Sequence, residues 1–60
     1  MYFFLAHYIN MDTNTEITKK IEFDGQFFDT EKEIYLYAMS RAYDMTNKNE
    51  LFSSLEFIAC

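Results

Sequence analysis

The chain has no proline, one glycine, one cysteine and one histidine. Each scarcity excludes something. With a single cysteine, Cys60, no disulfide can close within the chain. With a single histidine, His7, a structural zinc site of the Cys/His type is not available. Without proline- or glycine-rich stretches, no linker or low-complexity segment divides the sequence, and no internal repeat is visible, so one small domain over residues 1–60 is expected. Basic residues are few as well, five against ten acids, for a net charge of −5. Such a surface repels phosphate, which argues against nucleic acid and against anionic membranes. No apolar run approaches the length of a membrane span. The apolar stretch at the start is short, has no positive charge before it and contains His7 and Asn10, unlike a signal peptide. With a lone cysteine, this profile predicts a reducing, cytoplasmic compartment. Phosphate-binding glycine loops, Ser/His/Asp sets and paired carboxylates in an apolar cleft are all missing. The expectation is a protein that is not an enzyme and needs no cofactor and no metal.

What is plentiful is apolar and aromatic. Half of the residues are hydrophobic and a fifth aromatic, with seven Phe and five Tyr, which excludes intrinsic disorder. A chain of this length buries only about 60% of its unfolded surface. Small scaffolds lacking disulfides and metals turn to a second subunit. The most apolar run covers residues 2–11. Phe3, Leu5, His7, Ile9 and Met11 form one set of alternate positions; Tyr2, Phe4, Ala6, Tyr8 and Asn10 form the other. Both sets are largely apolar, which predicts a central strand covered on both sides. Residues 12–14 read as a hairpin loop, with Asn14 where a positive φ is needed. A second strand over 15–23 alternates Ile17, Lys19, Ile21 and Phe23 with Glu16, Thr18, Lys20 and Glu22. A three-residue loop sets Phe3 opposite Phe23, Leu5 opposite Ile21, His7 opposite Lys19 and Ile9 opposite Ile17, an almost wholly apolar face.

Gly25 ends this strand and is expected to take a backbone angle closed to other residues. Phe27 and Phe28 are expected to plug the junction with the following helix. Thr30 and Glu33 form a capping box, and Asp29, Glu31 and Glu33 suit the helix dipole. The helix should run from Glu31 to Met45 or Thr46. Its broad apolar arc has Ala38 and Ala42 near the middle and Leu36 and Tyr43 at the far edge, with Tyr37 outside it. A third strand over 51–60 completes an α+β, two-layer ββαβ fold. Its three-stranded antiparallel sheet has order 2-1-3 and one helix on one face. The other face should then expose Tyr2, Phe4 and Tyr8, with Phe52 and Ile58 beside them and Glu16, Lys20, Glu22 and Glu56 as a charged rim. An aromatic centre with a charged rim is the anatomy of a protein interface. Tyrosines that merely tolerate water are the plainer reading.

Other candidate residues are weaker. His7 reads as a packed, hydrogen-bonded histidine on the helix side, with Lys19 reaching over the sheet edge. Cys60 has no base or positive neighbour to lower its pKa; an intermolecular disulfide under oxidation is its one functional alternative. Asp24, Asp29, Glu31 and Glu33 lack calcium-loop spacing. Capping explains three of them, and the functional alternative is an acidic edge meeting a basic partner. Stacking of single-stranded nucleic acid on Tyr2, Phe4 and Tyr8 is opposed by the charge. The resulting expectation is a non-enzymatic interaction module, homodimeric through the open face with help from Leu36 and Tyr43, that binds an unidentified protein. Small acidic domains without site chemistry suit phages and mobile elements that block or redirect a host protein. The Phe, Tyr, Asn, Lys and Ile usage also suits an AT-rich bacterial or phage genome. The alternative is a small-molecule-binding dimer whose intersubunit pocket is lined by Tyr2, Tyr8 and Tyr43.

Overall fold

A computed structural model describes residues 1–60. Strands β1 (Tyr2–Asn10) and β2 (Thr15–Phe23) form a hairpin. A single 3-10 turn (Gly25–Phe27) leads into helix α1 (Glu31–Asp44), and strand β3 (Glu50–Ala59) closes the sheet. The strand order is β2-β1-β3 with both pairs antiparallel. This is the ββαβ arrangement the sequence predicts, with the most apolar strand in the centre. No helix is long and apolar enough to cross a membrane.

Helix α1 begins where its cap requires. The Thr30 hydroxyl accepts from the Glu33 amide at 3.2 Å. The Glu33 carboxylate accepts from the Asp29 amide at 3.2 Å, one residue before the position a capping box predicts. Glu31 and Glu33 in the first turn and Arg41 in the last both suit the helix dipole. The buried stripe is Ile34, Ala38 and Ala42, spaced by four. Ala38 and Ala42 are fully buried against the sheet, where Ala6 is fully buried too. Small residues on both layers let the helix axis approach closely. Tyr37, which helical periodicity leaves outside the arc, packs instead against Phe23 and Phe28, with ring centroids 4.7 and 5.2 Å apart.

The hairpin register differs from expectation by one residue, and the difference turns β1 over. Tyr2 pairs with Phe23, Phe4 with Ile21 and Tyr8 with Ile17, while Leu5 lies opposite Lys20 and Ile9 opposite Glu16. The loop has four residues, not three. The Asn10 side chain accepts from the amides of Asp12 and Thr13 at 2.9 and 3.2 Å, and Asn14 N donates to the Asn10 carbonyl at 2.7 Å. That side-chain turn ends the strand at Asn10. Asn14 does take positive φ, at 57°. β2 keeps its expected orientation, with Ile17, Ile21 and Phe23 in or against the core. The β1 set beneath the helix is therefore Tyr2, Phe4, Ala6 and Tyr8.

Two physical terms favour this choice. It places Ala6 where the helix comes closest, and it moves His7 out of the core, where an imidazole would need buried partners. Tyr8 is fully buried, and its hydroxyl donates to the Ala42 carbonyl. Lys19, expected opposite His7, lies opposite Ala6 on the helix side. Its ammonium donates to Glu50 and to the Met45 carbonyl, both at 2.6 Å, and sits 4.5 Å from the Tyr8 ring centroid. Glu50 is buried and also accepts from the Asn47 backbone and side chain at 3.1 and 3.2 Å, so every buried polar atom of this network is satisfied.

β3 departs from strict alternation. Tyr8 pairs with Phe52 and His7 with Ser54, so Ser53 is an extra residue; Phe4 pairs with Phe57 and Phe3 with Ala59, so Ile58 is another. The first bulge lets Phe52, Leu55 and Phe57 all serve the helix side despite their mixed parity. Phe52, expected on the open face, packs its ring 5.8 Å from that of Tyr8. Two loop expectations are corrected as well. Gly25 has an ordinary negative φ; its need for glycine is steric, since a Cβ there would collide with the Tyr2 ring. Phe28 packs near Phe23, whereas Phe27 is 82% exposed.

Candidate interaction surfaces

The sheet face away from the helix is built by Phe3, Leu5, His7 and Ile9 of β1. Glu22, Lys20, Thr18 and Glu16 flank it from β2, and Ala59, Glu56, Ser54 and Leu51 from β3. No element of the chain covers this face. Phe3 and Leu5 are sheltered only by neighbouring side chains, and Ile9 and Leu51 are exposed. Lys20 reaches over Phe3, its ammonium 4.9 Å from the ring centroid, and pairs with Glu22 at 3.6 Å. The flanking charges include the expected Glu16, Lys20, Glu22 and Glu56, but the line between them is the opposite set of β1 residues, with Phe3 as its one aromatic ring in place of the expected aromatic centre.

His7 stands in the middle of this line. Its Nε2 lies 3.0 Å from Glu56 of β3 and its Nδ1 3.3 Å from Glu16 of β2. An imidazolium there donates to both carboxylates. The hydrogen bond to Glu56 raises the His7 pKa above 6.5; partial desolvation opposes this, and Glu16 adds to the rise. The expected packed histidine of the helix side is thus a partly buried, cross-strand ion-paired one on the opposite face. Glu16 is a residue that sequence reading placed only in the rim, and Asn10, which sets the register, was the signal that could have located both.

The expected interface set divides. Phe4 is 2% exposed and Tyr8 fully buried, so neither offers a surface, and Tyr2 and Phe52 pack against the same core. Leu36, Tyr43 and Ile58 are exposed. Leu36 and Tyr43, however, belong to the helix layer, where Tyr43 covers Phe52 at 4.9 Å. The pocket expected from Tyr2, Tyr8 and Tyr43 cannot form around a Tyr8 closed off from solvent. Of the acidic edge, Asp24 accepts from the Gln26 amide at 3.0 Å and Glu33 from the Asp29 amide, as caps do. No group of three or more His, Cys, Asp or Glu side chains is placed to hold a metal ion.

A second surface feature lies between the first half of α1, the start of β1 and the end of β3. It is a groove of about 300 Å³ lined by Tyr2, Phe4, Ile34, Tyr35, Phe57 and Cys60, with Glu31 as its one charged residue. Phe4 meets Phe57 and Tyr35 edge-on at 5.4 and 6.2 Å, and Tyr2 lies 6.4 Å from Phe57. Tyr35 and Phe57 are about half exposed. Glu31 makes no ion pair within the chain. Cys60 is a free, exposed thiol.

No protein-family model matches the sequence, and no curated protein or solved structure matches it either.

Proposed function

We propose that this chain is a non-enzymatic interaction module that pairs with a second copy of itself through the open sheet face and, so paired, binds another protein. The observation that supports the reading is the uncovered line of Phe3, Leu5 and Ile9 along the central strand, continued by Leu51 on β3. Each such side chain, once fully buried, contributes about 1.5–3 kcal/mol. The flanking charges of both signs, Lys20 against Glu16, Glu22 and Glu56, supply a polar rim that two antiparallel copies can satisfy mutually. The net charge of −5 directs the remaining surface toward a basic partner.

Sedimentation equilibrium tests the pairing. The expected result is a mass of twice 7.2 kDa for the native chain and a monomer for Leu5→Glu, with Leu36→Glu on the outer helix surface still dimeric. A native chain that is monomeric at every concentration removes the proposal. So does a Leu5→Glu variant that keeps the doubled mass.

A further inference from the structure

We propose that the groove between α1 and the β1/β3 end is a binding site for a free organic ammonium ion carrying an apolar or aromatic body. The site is independent of the pairing face, which lies on the other side of the sheet. Four aromatic residues, Tyr2, the buried Phe4, and the exposed Tyr35 and Phe57, line it, and Glu31 is its one ionisable carboxylic side chain. Aromatic faces carry negative electrostatic potential and attract cations. The chain already uses this attraction twice elsewhere, with Lys19 over Tyr8 and Lys20 over Phe3. No cation of its own lies over Tyr2, Tyr35 or Phe57, and no basic residue pairs with Glu31. The groove therefore offers a carboxylate and the exposed rings of Tyr35 and Phe57, which the fold leaves without a positive partner.

The helix dipole, which opposes a cation at this end of α1, is already met by the Thr30 cap and the Glu33 carboxylate. A volume of about 300 Å³ lies at the small end of the roughly 300–1,000 Å³ range of small-molecule pockets, which suits one ring with a small head group. A trimethylammonium group on a single ring is of that size. The acidic surface as a whole raises the local concentration of such a cation.

The test is a pair of probes alike in shape and different in charge: (4-hydroxyphenyl)trimethylammonium and 4-tert-butylphenol. Each is titrated into the full chain and followed by NMR shifts. The cation is expected to bind about tenfold tighter than the neutral probe, with shifts centred on Tyr2, Glu31, Tyr35 and Phe57. Glu31→Gln should weaken the cation severalfold and leave the neutral probe unchanged, while Tyr35→Ala weakens both. Equal affinity for the two probes overturns the inference, as does the absence of saturation by the cation at millimolar concentration. Shifts centred on Leu5 and His7 overturn it as well and assign binding to the sheet face instead.

Discussion

A histidine held between two carboxylates changes charge within the physiological range, and His7 is held so by Glu56 and Glu16. Its folded pKa is raised above 6.5, so its contribution to stability is fully present below that value. The contribution is lost as pH rises through the folded pKa. Urea midpoints should therefore fall as pH rises above 6.5 through the raised folded pKa. His7→Gln should remove that part of the decline, and an unchanged slope in the variant assigns the effect to other groups. Gly25 provides a steric test at the same scale. The Tyr2 ring occupies the space of a Cβ, so Gly25→Ala should lower stability by about 1–3 kcal/mol. In a Tyr2→Ala background the same change should have a much smaller effect. A full penalty there shows that the backbone conformation, not the ring, demands glycine.

At the scale of elements the hairpin turn has the widest consequence. Asn10 accepts two loop amides and so ends β1 one residue before apolar alternation alone suggests. A one-residue change of register carries every β1 side chain to the other face. Asn10→Ala removes the one side-chain oxygen that accepts both amides and should lower stability by about 1 kcal/mol. It should also populate the register that sets Ile9 opposite Ile17, visible as cross-strand NMR contacts absent from the native chain. A variant that loses stability without those contacts shows that the Ala6, Ala38 and Ala42 packing alone holds the register. The β3 bulge at Ser53 works in the same sense, since it lets Phe52 and Leu55 serve one face although a regular strand would separate them.

The whole molecule is thin, with Cα extents of 39 × 18 × 14 Å, room for one helix layer on one sheet. Nine of the 60 residues are buried, a small core that a second copy on the bare face would enlarge. The two faces of β1 should respond differently to the same substitution. Phe4→Glu places a charge in the core and removes a buried ring worth about 3–5 kcal/mol, so circular dichroism should show unfolding. Leu5→Glu should leave the spectrum intact and change only the mass. If Phe4→Glu stays folded and Leu5→Glu unfolds, the assignment of faces is reversed.

The order of the elements, the central place of residues 2–10, the helix start at Thr30 and the positive φ of Asn14 were determined by the sequence, because each rests on local chemistry. Alternation, capping and turn preference act over a few neighbouring residues. Which side of β1 meets the helix was decided only in three dimensions. Both of its alternate sets are apolar, so a period of two cannot choose between them. The choice came from contacts distant in the chain: Ala6 against Ala38 and Ala42, the Tyr8 hydroxyl on the Ala42 carbonyl, and His7 turned outward to Glu56, 49 residues away. Close packing and the need to satisfy buried polar groups belong to the assembled layers, and neither can be read along a single strand.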